Sequence, residues 1–296
     1  MAYVSRYLEP QLVEKLNNLQ LSARRVVEGA TIGQHRSPLK GASVEFRQHR
    51  IYSPGDELRR LDWRVLGRTD RPYIKEYDEE TNLRCMLLLD ASGSMAYAGS
   101  GVSKFEYGAK LAASLAYLML GQTESVGLGL FSKRLDEYLP AHAGTTQLSR
   151  VVDLLERAAP AGHSELARSI HEAANRLERR SLVVLISDLF TPSKQLRDGI
   201  AHLHHDRHET IVLRIIDRDE ETFPFKNWSR FRGMEGEKPT LMEPAMARKQ
   251  YLANFALHRD ELQKTCSAVN AEFVTFHTDE PLIESVTKFL HRRAMK

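Results

Sequence analysis

The chain has 296 residues, of which 42% are hydrophobic and 27% charged, and its net charge is only +3. This is the composition of a soluble globular protein with a core of useful size, and the near-balance of acids and bases gives no basic stripe for nucleic acid. The two cysteines exclude a disulfide framework and suit a reducing compartment, and the apolar runs fall far short of the ~18 residues of a membrane-spanning helix.

The start, MAYVSRYLEPQLVEKL, lacks the apolar stretch of a signal peptide, so the expected location is cytoplasmic. Apolar residues at Leu12, Val13, Leu16 and Leu19 have helical spacing and predict a helix over Leu8 to Gly29. Short β-type runs follow at Val44 to Phe46, Ile51 to Tyr52 and Tyr73 to Tyr77. They are broken by turn signals at Pro54-Gly55-Asp56 and Asp70-Arg71-Pro72. This stretch reads as a small strand-and-turn layer. Residues 1–80 are thus set apart from a second region, 81–296.

From Leu83 the pattern alternates. Strand LRCMLLLD precedes a helix over Lys104 to Leu120. Strand Ser125 to Ser132 and a short strand near Tyr138 come next, then helices Thr146 to Ala158 and Ser164 to Arg179. Strand Ser181 to Asp188, helix Ser193 to His205 and strand Thr210 to Ile216 follow. A hairpin is expected near 222–243, then a long helix from Pro244 to about Thr265, strand Ala271 to Thr278 and helix Pro281 to Arg293. Strands of continuous Leu, Val and Ile alternating with helices imply an α/β fold: a doubly wound, mostly parallel, Rossmann-like sheet covered on both faces.

In such a sheet ligands bind beyond the carboxyl ends of the strands. The first strand of the alternating region delivers Asp90, Ser92 and Ser94 there, and the strand Ser181 to Asp188 delivers Asp188. Ser164 opens the helix before that strand and faces the same edge. Two acids and three hydroxyls make a hard-oxygen site suited to Mg²⁺, with Mn²⁺ or Ca²⁺ as alternatives, and not to zinc. Ser92 and Ser94 are expected as direct ligands, with Asp90 and Asp188 acting through water. An ion with so few anionic ligands seeks a carboxylate from outside. Thr145 or Thr146 is the alternative third hydroxyl; Ser164 is favoured because it lies one helix before the Asp188 strand.

Simpler readings stand beside these. Asp90, Ser92 and Ser94 also suit a locally capped turn, Ser164 a helix N-cap, and Asp188 a cap for the helix at Ser193. Arg59-Arg60 and Asp62-Trp63 read as an ion-paired, half-buried turn. The spacing of His204 and His208 invites zinc, but a solvated face is the better reading, and Arg292 and Arg293 complement a helix C-terminus.

The D-x-S-x-S order after a core strand, a later hydroxyl at a helix start and an Asp at the next strand end resemble the metal-ion-dependent adhesion site of the von Willebrand factor A fold. Asp90, Ser92, Ser94, Ser164 and Asp188 match it position by position, with Ser164 where Thr is usual. The stretch KGASVEFRQHRIYSPGDELRRLDWRVLGRTDRPYIKEY, followed by LLLDASGSM and later by AMARKQY and HTDEPLIESVTKFLHRR, is similar to a bacterial family, domain-of-unknown-function family fifty-eight. Lys40-Gly41 and Pro54-Gly55-Asp56 with Asp62-Trp63 carry that likeness. The resemblance implies association with MoxR-type AAA+ ATPases and a protein-binding role rather than a reaction. A metal-dependent phosphoryl-transfer or hydrolase activity using Asp90 is the alternative, although Ser92 stands where such phosphatases carry a second Asp. A structural subunit with an empty site is a third reading.

Overall fold

The computed structural model describes residues 5–17, 44–53, 61–79, 83–177, 180–226, 228–236 and 239–294. The chain divides into two units: residues 31–82 form one, and residues 1–30 with 83–296 form the other. The N-terminal helix, expected to share a region with the strand-and-turn layer, thus groups with the large sheet.

In the small unit, β1 (Val44–Ile51) pairs antiparallel with β2 (Tyr73–Glu79), and the register shifts between Phe46 and Gln48. The first two predicted β runs are one continuous strand. A helix absent from the sequence reading, here α2 (Trp63–Thr69), lies between the strands. It exists because Asp62 caps it: the buried carboxylate accepts the Arg64 and Val65 amide N–H groups at 3.0 and 3.3 Å. Trp63 is exposed, and Asp62-Trp63 is the start of this helix. Asp70 ends the helix in the left-handed region at φ 51°, making the predicted turn. Lys40-Gly41, Pro54-Gly55-Asp56 and Arg59-Arg60 lie outside the described residues.

The large unit begins with α1 (residues 10–17); the rest of the predicted helix lies outside the described residues. Then come β3 (Arg84–Asp90), α3 (Lys104–Leu120), β4 (Ser125–Phe131), β5 (Leu135–His142), α4 (Thr145–Arg157) and α5 (Leu166–Ala174). They are followed by β6 (Leu182–Ser187), α6 (Ser193–His205), β7 (Glu209–Ile216) and α7 (Arg218–Thr222). The hairpin β8 (Ser229–Phe231) and β9 (Thr240–Met242), α8 (Pro244–Ala268), β10 (Glu272–His277) and α9 (Leu282–Ala294) complete it. The sheet runs β10-β7-β6-β3-β4-β5, parallel except for antiparallel β5. It is the doubly wound, von Willebrand factor A-like arrangement expected from the sequence.

Alternate residues of each strand feed two separate cores. Cys85, Leu87 and Leu89 of β3 join Leu182, Val184 and Ile186 of β6 on the face covered by α3 and α9. Met86 and Leu88 join Val183 and Leu185 on the face of α5, α6 and α8. Period-two alternation with both faces buried is why these strands read as unbroken apolar runs. Each such side chain removed from water contributes roughly 2 kcal/mol. Tyr7, Leu8 and Leu16 of the N-terminal segment pack into the first core, and Ser5 Oγ donates to Glu156 at 2.8 Å.

A Cβ at Gly127 in β4 would lie 2.7 Å from the Leu139 carbonyl oxygen of β5, so only glycine allows this close pairing. On β5 itself Asp136, Glu137 and Pro140 are exposed. The hairpin has its own small aromatic core: Phe223 stacks on Phe231 at 5.8 Å, meets Tyr251 of α8 at 4.7 Å, and Phe225 sets its edge on Phe231.

Candidate metal centre

The sheet's winding reverses at β3: the chain moves from β3 to β4 and β5 on one side, then returns to β6 on the other. The carboxyl ends of β3 and β6 therefore form the switch-point crevice where open α/β sheets bind ligands. Asp90 ends β3, and Asp188 immediately follows β6.

Asp90 is 1% exposed and surrounded by hydroxyls. Its Oδ1 accepts the Ser92 amide N–H at 2.9 Å, while Oδ2 accepts the Ser187 hydroxyl at 2.7 Å and the Ser164 hydroxyl at 3.4 Å. Ser92 and Ser94 place their hydroxyl oxygens 3.1 Å apart. A local capped turn accounts for the Asp90 Oδ1 bond alone. Ser92 sits at the N-cap of the short 3₁₀ turn Gly93–Ala96 without spending its side chain there.

Main-chain bonds bring Ser164 to this place. Gly93 N–H donates to the Gly162 carbonyl at 2.7 Å, and Ala161 N–H donates to the Ala91 carbonyl at 2.8 Å. The two loops are thereby zipped together. Ser164 precedes the α5 N-cap, Glu165, so its hydroxyl is not a helix cap. Thr145 and Thr146 are exposed at the start of α4, after the edge strand β5. Of the candidate third hydroxyls, Ser164 is the one beside Asp90.

Asp188 behaves differently. Successive residues leaving a strand point to opposite faces. Asp90 and Ser187 share one face, and Asp188 turns to the other, toward the first residue of α3. There its Oδ2 accepts from Lys104 Nζ at 2.7 Å. Lys104 is fully buried and also bonds Glu220 of α7. Burial opposes its charge, but the Asp188 and Glu220 carboxylates hold its pKa above the ordinary value. The Phe190 ring lies 4.7 Å from Nζ. Arg214 Nε donates to the Asp188 carbonyl at 3.2 Å. Asp188 does not cap α6, whose N-cap is Pro192.

Lys104, Ser187 and Glu220 were absent from the sequence reading. Lys104 had a visible signal, a cation opening an otherwise apolar helix just past the D-x-S-x-S turn. Glu220 had another, since Asp217-x-x-Glu220 is a capping box. Ser187 had none until β3 and β6 were known to be neighbours.

The donors fit a hard divalent cation. They are hydroxyl and carboxylate oxygens, the donor types that suit such an ion, and among the described residues no group of three or more His, Cys, Asp or Glu side chains is placed to hold a metal. The electrostatics point the same way. Burial first, and then the Asp188 charge, push the Asp90 carboxyl up to about 7 against the hydrogen bonds from Ser187 and Ser92. A cation placed there would offset that repulsion. Ser92, Ser94 and Ser164 could serve as direct ligands of such an ion, with Asp90 behind them, while Asp188 is already paired with Lys104.

The histidine-rich stretch does not form a second centre. His204 is exposed at the end of α6, whereas His208 is buried and accepts the Ser181 amide N–H at 3.0 Å. Its burial, not expected from the sequence, lowers its pKa. Cys85 and Cys266 are both buried and free. No helix among the described residues is long and apolar enough to cross a membrane.

The chain is 25% identical over 292 residues to an uncharacterized protein of Mycobacterium tuberculosis (strain ATCC 25618 / H37Rv), spanning 96% of this chain and 90% of that protein. Among solved structures, the conserved hypothetical protein BatB from Bacteroides thetaiotaomicron aligns with a TM-score of 0.48 and 15% identity. That alignment covers 72% of this chain and 100% of BatB. An aerotolerance-related membrane protein from Bacteroides fragilis NCTC 9343 aligns with a TM-score of 0.49 and 16% identity over 72% and 98% of the two chains. Residues 48–261 match the family described as "Protein of unknown function DUF58", and the chain belongs to that family.

Proposed function

We propose that this protein is a non-enzymatic binding module that holds a divalent cation, Mg²⁺ foremost, and through it an acidic side chain of a protein partner. The family's resemblance points to a MoxR-type AAA+ ATPase as that partner, in the cytoplasm, with this chain as adaptor or co-chaperone. One observation carries the reading: Asp90 is buried at the switch point with the Ser164 and Ser187 hydroxyls on one oxygen, while the Ser92–Ser94 pair lies on the turn it heads. Ser92, Ser94 and Ser164 would hold the ion, with Asp90 and Asp188 supplying negative charge around it. The bound cation supplies a Lewis-acidic position for a carboxylate oxygen. The enzyme alternative has less support. A phosphoryl acceptor must present an oxygen to substrate, and Asp90 is almost fully buried with both oxygens in hydrogen bonds.

The test is capture of a purified MoxR-type ATPase by the wild type and by Asp90→Ala, in Mg²⁺ and in EDTA. Capture by the wild type in Mg²⁺ alone is expected. Undiminished capture by Asp90→Ala and in EDTA overturns the metal bridge.

A further inference from the structure

The loop between β8 and β9 lies over the polar cluster. At Gly93 a Cβ would collide with the main-chain carbonyl oxygen of Met234, so the hairpin touches the D-x-S-x-S turn itself. The next residue, Glu235, accepts the Ser164 amide N–H on Oε2 at 3.4 Å. The hydroxyl of the same Ser164 lies 3.4 Å from Asp90 Oδ2. A carboxylate from outside the sheet thus reaches the residue that offers the third hydroxyl. The aromatic core of Phe223, Phe225 and Phe231 anchors the hairpin on α8 through Tyr251, which gives the loop a fixed base.

Charge gives this placement its meaning. Asp90 and Asp188 already bring two carboxylates to the neighbouring ends of β3 and β6, and Glu235 adds a third beside Ser164. Glu235 lies in the loop between β8 and β9, between Met234 and Gly236, where an acidic side chain is presented from outside the sheet.

We infer that Glu235 is an internal acidic ligand of the cation site. With the cation bound, its carboxylate takes the open position, and a partner's acidic side chain enters only by displacing the hairpin loop. The inference rests on the metal reading above and adds a built-in competitor to it. Partner capture then reflects a contest between two carboxylates for one position, which makes the hairpin the element that sets the affinity threshold.

The experiment is a Mn²⁺ titration of the full chain, read from the electron paramagnetic resonance signal of free Mn²⁺, with and without acetate as a probe of the open position. Wild type, Glu235→Ala, the near-isosteric Glu235→Gln and Asp90→Ala are compared. The wild type should bind Mn²⁺ with an affinity indifferent to acetate. Loss of the carboxylate should weaken binding about ten-fold, the scale of one supporting contact at a metal site, and acetate should recover most of that loss. Asp90→Ala should bind little or none. Equal affinities for the wild type and both Glu235 variants, with no acetate response, overturn the internal ligand while leaving the metal site standing. Absence of Mn²⁺ binding by the wild type overturns both.

Discussion

Replacing Asp90 by Asn should stabilise the metal-free protein at neutral pH. The Asp90 carboxyl is raised from 3.8 to about 7 by burial and by the Asp188 charge. The native state therefore holds a proton that the unfolded chain has released. Stability contributed by this group is fully present below about pH 4 and is lost as the pH rises to about 7. The shift is roughly 3 units at about 1.4 kcal/mol each, so the loss approaches about 4 kcal/mol above pH 7 and is only about 1.5 kcal/mol at pH 5. Asn keeps the shape, carries no charge and escapes this loss. Its exchanged hydrogen bonds with Ser92 and Ser187 add an offset that does not vary with pH. Urea unfolding in EDTA, in half-unit steps from pH 5 to 8, measures the difference between the two proteins. It should widen in favour of Asn with rising pH and flatten near pH 7. Saturating Mg²⁺ should reverse the order, because binding to the native state stabilises only the protein that retains the site. A difference between the two proteins that stays constant from pH 5 to 8 refutes the reasoning.

Three other outcomes are expected. Lys104→Met leaves the Asp188 and Glu220 carboxylates without their ammonium and should cost about 3–5 kcal/mol in urea unfolding, as breaking a buried pair does. Ser164→Thr adds the methyl that restricts the side-chain rotamer and should tighten Mn²⁺ binding about two-fold in a direct titration, for roughly 0.5 kcal/mol of rotamer freedom. Gly127→Ala forces β4 from β5 and displaces Met86 Cε, 2.6 Å from the added carbon. It should lower stability by about 1–3 kcal/mol with little effect on metal binding.

Much of the sheet was legible because its signals are local and strong. The range predicted for α3 matches the structure: Ser103 caps it, taking the Glu106 amide N–H, and a long apolar run follows. The range of α6 matches as well. The two short helices, α2 and α7, were missed because they have too few turns for a periodicity. Their traces were the Asp caps, Asp62 and Asp217, the second completed to a capping box by Glu220. At the candidate site the strand-end residues were readable, since the parallel strands of this architecture deliver their last residues to one edge. The partners across strands were not. Ser187 meets Asp90 only because β6 lies beside β3, and Lys104 meets Asp188 only because the residue after β6 turns toward α3. Glu235 was hidden further, as its approach depends on the path of an inserted hairpin.

The outer strand β5 guards one side of the sheet. Pro140 has no N–H to offer a newcomer, and the charges of Asp136 and Glu137 stand exposed beside it. The Pro140 carbonyl is also engaged, accepting from Gln147 Nε2 at 2.9 Å. Strand swapping and fibril growth along this edge are thereby discouraged, although β5 ends an otherwise well-ordered sheet. Another chain recruited to this protein has little to gain by extending the sheet here, and specificity falls to the loops at the strand ends.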